Sequence, residues 1–174
     1  MFQAQTARHR LNRSERFKGR MMLPEDLAGL SFFEGMSAEQ LALLAPLFRC
    51  VVFPAGSEVF AEGDEASELY LLVSGRVAIR VMHYDGGQVD VNVVQPGSLW
   101  GWSAALGRPT YTASAVCLSE THALAALGCD LRYVMQTYPD LGKLLLERIA
   151  QVAANRSMGM SDQLLRMFQV DPGD

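Results

Sequence analysis

The chain has 174 residues, of which 49% are hydrophobic, 20% charged and 9% aromatic, and its net charge is −4. That length suits one domain with a short extension, and that composition excludes a wholly disordered or collagen-like chain. No apolar run approaches the ~20 residues that a membrane-spanning helix needs, and the first 20 residues hold no apolar core of a secretory signal.

The charge is unevenly placed. Residues 1–20 carry six basic side chains (Arg8, Arg10, Arg13, Arg16, Lys18, Arg20) against Glu15, a net +5, so the remainder carries −9. Residues 1–23 therefore read as a basic disordered tail. The acidic body is a poor surface for nucleic acid. The three cysteines, Cys50, Cys117 and Cys129, form no pair or cluster at metal-ligand spacing. They read as free thiols in a reducing compartment, and a cytoplasmic location is expected.

Residues 24–47 read as helical. Pro24 suits the first turn of a helix running through Leu27 and Leu30. Ser37 caps a second helix and Gln40 completes a capping box, with Leu41, Leu44 and Leu47 on its apolar face. From Arg49 the period changes to short apolar strands between glycine turns. These are Cys50–Phe53, Glu58–Phe60, Leu69–Val73, Val77–Val81, an alternating strand around Val89, Val91 and Val93, then Thr112–Cys117 and His122–Leu127. Asp85-Gly86 marks a tight hairpin. Helical spacing returns at Asp130, read as the cap of a short helix over 131–137. Pro139 then opens a longer helix, with Leu141, Leu145, Ile149 and Val152 along one stripe and Gly159 and Ser161 as its interruption. Many short strands at 8–12-residue spacing point to an antiparallel sandwich or barrel.

Gly56, Val59, Gly63, Ala66, Tyr70-Leu71-Leu72, Gly75 and Val77 stand at spacings that resemble the cyclic-nucleotide-binding domain of the catabolite activator (Crp/Fnr) family. The likeness continues through Pro96-Gly97, Trp100-Gly101, Ala113, Ala115 and Val116 to Tyr138-Pro139-Asp140, and covers about residues 25–157. The resemblance implies a mainly β fold over residues 24–160: an antiparallel jelly-roll-like barrel with N-terminal helices and a long C-terminal helix. Residues 161–174 would be a short C-terminal extension.

The resemblance also implies a binding cassette. In the family a Gly-Glu pair opens a short helix and an arginine begins the next strand. The glutamate takes the ribose hydroxyl, and the arginine pairs with the cyclic phosphate beside backbone N–H groups. Here the glycine is Gly101, followed by Trp102 where the glutamate would stand and by Ser103. Tyr111, directly before Thr112-Ala113, holds the arginine position. Losing one charge-assisted hydrogen bond costs ~1.5–3 kcal/mol, and two are missing. At ~1.4 kcal/mol per tenfold, cyclic nucleotide is expected to bind orders of magnitude more weakly, and not in the standard way. Arg108, three residues before Tyr111, reads either as a displaced ligand for an anion or as a solvated loop arginine. Trp100, Trp102 and Tyr111 either line a stacking pocket or fill the space a nucleotide would occupy. By alignment, Arg156 on the long helix falls near the base-facing position. A resemblance to haem-binding members would point to His83, although a lone exposed histidine is ordinary.

No nucleophile–base pair or phosphate-loop signature is present, so no enzymatic activity is expected. No recognition helix can be drawn after Phe168, so direct DNA binding is not expected either. The sequence thus suggests a stand-alone regulatory sensor that acts on a protein partner and forms a homodimer through the long helix. The alternative is a ligand-free domain serving assembly.

Overall fold

The structure, a computed structural model, describes residues 22–82 and 86–168, with helix backbone alone from residue 155 onward. Residues 1–21, His83, Asp85 and residues 169–174 lie outside the described residues, as does the Arg156 side chain.

The chain enters through α1 (Pro24–Ala28), where the Asp26 carboxylate accepts a hydrogen bond from the Leu23 N–H at 3.0 Å. After a 3₁₀ turn over Ser31–Phe33 comes α2 (Ala38–Leu44). Its capping box is as the sequence implies. Gln40 N–H donates to Ser37 Oγ at 3.2 Å, and Ser37 N–H donates to Gln40 Oε1 at 2.9 Å.

Among the described residues eight strands follow: β1 (Arg49–Phe53), β2 (Glu58–Phe60), β3 (Glu68–Ser74), β4 (Val77–Met82), β5 (Gln88–Val94), β6 (Leu99–Trp100), β7 (Ser114–Cys117) and β8 (Thr121–Leu127). They pair antiparallel in two four-stranded sheets, β1-β8-β3-β6 and β2-β7-β4-β5. This is the jelly-roll order of two interleaved Greek keys. Two helices close the chain, α3 (Gly128–Thr137) and α4 (Pro139–Phe168).

Side chains on β3 and β8 alternate between two cores. Leu69, Leu71, Val73, Leu124 and Ala126 face the helical layer of Leu27, Phe33, Leu44 and Leu145. Tyr70, Leu72, Ala123 and Ala125 face the barrel interior with Ile79, Val91 and Trp100. A sheet covered on both faces needs apolar side chains at successive positions, which accounts for the unbroken run Leu69–Val73. β5, at the edge of the second sheet, buries only Val91 and Val94 fully and exposes Gln88 and Asn92.

The structure corrects four details of the sequence reading. α3 starts at Gly128, and Asp130 lies within its first turn rather than capping it. Gly128 permits this because a Cβ there would sit 2.3 Å from the Ala104 carbonyl oxygen. α4 runs unbroken to Phe168, through Gly159 and Ser161; an interior glycine costs a helix only ~1 kcal/mol. The stripe Leu141, Leu145 and Ile149 is buried within the chain's own core and is not free to pair with another helix. The two-residue β6, which has no periodicity to reveal it, pairs with β3.

Gly56, Gly63 and Gly75 all take positive φ, as their strand-end positions imply. Only Gly75 is also sterically locked: a Cβ there would lie 2.5 Å from the Glu120 carbonyl oxygen, whereas Gly63 has nothing within 4 Å. Gly63→Ala is expected to cost about 1–2 kcal/mol, the conformational term alone. Gly75→Ala should cost about 3 kcal/mol or more, because the backbone must also part. Urea denaturation of the two variants measures the difference, and equal losses would refute the steric account.

Candidate functional site

The cassette follows the sharp bend at Gly97, whose φ is +88° and whose N–H donates to the Leu72 carbonyl at 2.7 Å. β6 then lays Leu99 into the helical core and Trp100 into the barrel. Gly101, at φ +74°, presses its backbone against β3, where a Cβ would meet the Glu68 carbonyl oxygen at 3.0 Å. Residues 102–107 form successive turns, with Leu106 N–H donating to the Trp102 carbonyl at 3.0 Å. The chain then returns along residues 63–66. Ala66 N–H donates to the Pro109 carbonyl at 3.0 Å, and Tyr111 N–H donates to the Asp64 carbonyl at 2.9 Å.

Five of the seven sequence-predicted site residues come together. Gly101, Trp102, Ser103, Tyr111 and Thr112 line one cavity. Arg108 is exposed and does not line it. The bond at Pro109 and the bridge between Glu65 and Thr110 hold that part of the loop on the outer side. The Arg156 side chain lies outside the described residues. Trp100, Ala113, Phe60 and Ile79 complete the wall, and the last two were not foreseen, because only the pairing of β2, β4 and β7 brings them there.

Tyr111 dominates the interior. Its ring stacks on Phe60 with centroids 3.7 Å apart and planes 11° from parallel. Its hydroxyl donates to the Glu68 carbonyl at 2.7 Å and accepts from the Glu68 N–H at 3.1 Å. Tyr70 stacks on Trp100 at 5.1 Å and, more loosely, on Phe60 at 6.2 Å. Four rings from four segments thus form one row. The Tyr70 hydroxyl donates to Glu68 Oε2 at 3.1 Å, and that carboxylate is paired with Arg49.

The remaining cavity measures about 280 Å³ including its open mouth, of which about 20 Å³ admits the centre of a water molecule. Pockets for organic ligands run ~300–1,000 Å³, and one buried water needs ~10–15 Å³ by the narrower measure. The aromatic side chains therefore occupy most of the barrel mouth. Every side chain lining the cavity is uncharged.

The cassette is tied to the helices behind it. Arg132 of α3 donates to the Ala104 carbonyl. Gly142 of α4 packs so closely on α3 that a Cβ would lie 2.4 Å from the Met135 carbonyl oxygen. Arg148 of α4 donates to the Glu34 carbonyl at 2.6 Å.

Comparison with known proteins bears on this architecture. The family model for the cyclic nucleotide-binding domain matches residues 50–138, just over half of the chain. The chain is 29% identical over 129 residues to the cyclic AMP receptor protein of Thermus thermophilus, covering 72% of this chain and 60% of that protein. It is 27% identical over 140 residues to a CRP-like cAMP-activated global transcriptional regulator of Mycobacterium tuberculosis, covering 80% and 62%. The chain thus spans about three fifths of the length of these relatives. A putative cyclic nucleotide-binding protein from Geobacter metallireducens superposes with a TM-score of 0.69 at 29% identity, over 78% of this chain and 98% of that one.

Burial raises the pKa of both Tyr70 and Tyr111 above the ordinary value of 10.0, and the Glu68 carboxylate raises Tyr70 further. The folded rings hold their protons where unfolded rings lose them. This contribution is fully present below about pH 10 and is lost as pH rises from there towards the folded values. Urea denaturation between about pH 8 and pH 11 should show stability falling at the alkaline end, less steeply in Tyr111→Phe. An unchanged slope in that variant would mean that the ring ionises in the folded protein.

Proposed function

Because the chain belongs to the cyclic nucleotide-binding domain family, we propose that it is a regulatory domain whose cassette has left the standard cyclic-nucleotide chemistry and which acts through α4 on a protein partner. The observation that carries this is Tyr111. At the position where the family resemblance puts a phosphate-binding arginine, a buried tyrosine stacks at 3.7 Å on Phe60 and spends its hydroxyl on the Glu68 backbone. A phosphate entering there would lose its water and meet no cation among the described lining residues. Trp102, at the glutamate position, lines the same cavity and replaces an acceptor for the ribose with an indole.

The route out of the cassette supports a regulatory role. Ala104 touches α3 through Arg132 and Gly128, and α3 touches α4 through Met135 and Gly142. A change in the seating of residues 101–107 would be felt at the root of a thirty-residue helix. Such a helix is ~45 Å long, about twice the length of the seven-residue strands. Pairing with a second copy through α4 belongs to the same reading. It predicts a dimer in sedimentation velocity, and a monomer would remove that part. The second reading, a ligand-free assembly module, is favoured by the smallness of the cavity.

A thermal-melt titration tests the main reading. A ligand of the native state raises the melting temperature with concentration. No saturable rise is expected with cyclic AMP or cyclic GMP up to about 1 mM, given the two lost charged contacts. A saturable rise at micromolar cyclic AMP would overturn the reading.

A further inference from the structure

A second and roomier cavity opens between α4 and the end of β5. It measures about 530 Å³ including its mouth, of which about 190 Å³ admits the centre of a water molecule, against about 20 Å³ at the cassette. Pockets for organic ligands run ~300–1,000 Å³. None of the described lining residues is shared between the two cavities. The floor is apolar. Val94 belongs to the barrel core, Leu99 belongs to the helical core, and Val152 of α4 packs against the helical core. The cavity is thus a seam where the two cores meet. Its wall is pinned by backbone. The Leu72 carbonyl accepts from the Gly97 N–H at 2.7 Å, Leu72 N–H donates to the Ser98 carbonyl at 3.0 Å, and Ser98 N–H donates to the Gln95 carbonyl at 3.0 Å. These bonds hold the turn over residues 95–98 on β3, so the turn does not fold inward to close the space. Asn92, Gln95 and Ser98 add uncharged polar side chains to the lining. Gln95 Nε2 donates to the Val93 carbonyl at 3.3 Å, whereas the Asn92 carboxamide and the Ser98 hydroxyl make no hydrogen bond within the described residues.

We infer that this seam is a binding site for a small neutral amphiphile, with an apolar chain on Val94, Leu99 and Val152 and an amide-like head bonded to Asn92, Gln95 or Ser98. The inference stands apart from the reading of the cassette and does not rest on it. Three features select the ligand class. An apolar floor open to water gains by being covered. Carboxamides and a hydroxyl both donate and accept, and they suit a head group that does the same. None of the described lining residues is charged, so an ion that shed its water there would meet no counter-charge among them. The position of the seam gives it a consequence. β6 has two residues, of which Leu99 lines the seam and Trp100 lines the cassette cavity. A molecule in the seam therefore touches α4, at Val152, and the back of the cassette strand together. Its occupancy bears on how α4 seats against β6, and it does so without entering the cassette.

Hexanamide, hexanoate and acetamide test this on the intact chain. The first two differ in charge, and the first and last differ in the apolar chain. In an NMR titration hexanamide should shift the side-chain amides of Asn92 and Gln95 and the backbone amide of Leu99 saturably, with a Kd of roughly 1 mM. Hexanoate and acetamide should each bind roughly tenfold more weakly or worse. Val152→Trp fills the seam and should abolish the hexanamide response. Asn92→Leu, at an exposed strand position, should weaken it severalfold. No saturable shift at these groups up to about 10 mM hexanamide, or a shift confined to the cassette residues, would overturn the inference. So would hexanoate or acetamide binding as tightly as hexanamide, or an undiminished response in folded Val152→Trp. Where Val152→Trp does not fold, the three probes on the unaltered chain and Asn92→Leu decide the matter. Cyclic AMP is titrated in parallel: its response bears on the cassette reading alone, and a silent hexanamide removes the seam site alone.

Discussion

Leu71 and Leu72 are consecutive, both are fully buried, and they point in opposite directions, one to the helices and one into the barrel. A strand can be buried on both sides only if something covers each face, so β3 and its neighbour β8 require both the second sheet and the helical layer. Sheet period fixes the consequence. Moving the register by one residue would send Tyr70 and Leu72 to the helices and Leu69 and Leu71 to the cassette. The site's aromatic row is thus set by the same register that builds the helical core. Disturbing one half of the molecule disturbs the other.

The barrel mouth holds stacked rings where the resemblance would place charged and polar ligand contacts. A charged contact to a phosphate and a polar contact to a ribose need a ligand to complete them. Stacked rings complete each other. A stacked aromatic pair contributes ~0.5–1.5 kcal/mol beyond its burial, and the two hydrogen bonds between the Tyr111 hydroxyl and the Glu68 backbone contribute a further ~1 kcal/mol each. Tyr111, at the position where the resemblance places an arginine, contributes to the fold through its own ring and hydroxyl. Trp100, whose buried indole Nε1 has no hydrogen-bond partner, is among the residues that line the cavity.

Much of this was legible in the sequence, and the limits are physical. The capping box at Ser37, the strand series and the glycine corners depend on neighbours within a few residues, and they appear where the pattern puts them. The departures at Trp102 and Tyr111 were visible because the surrounding glycines and Thr112-Ala113 fix their positions. The sequence left two readings of those aromatics, lining or filling, since that depends on Phe60, which is 51 residues away in the chain and meets Tyr111 only through folding. Arg108 looked able to turn inward for the same reason: the bond from Ala66 to the Pro109 carbonyl that holds its loop is non-local. The unbroken course of α4 past Gly159 eluded local propensity, because a long helix absorbs a penalty of ~1 kcal/mol.

A ligand alters a conformational balance only by binding one arrangement better than another. In this fold cassette and helix approach backbone to backbone at Gly128, where a Cβ would lie 2.3 Å from the Ala104 carbonyl oxygen. Gly128 and Ala104 touch there, and Gly142 and Met135 repeat the arrangement one helix further on. Close backbone contacts without flexible side chains transmit displacement instead of absorbing it. Arg132 and Arg148 then act as tethers, the first from α3 to the cassette and the second from α4 to the 3₁₀ turn at Ser31–Phe33 and to Glu34. A shift of Ala104 would therefore bear on α3, and through Gly142 on α4. None of these contacts involves Trp102 or Tyr111, the positions where the resemblance places the nucleotide's polar partners.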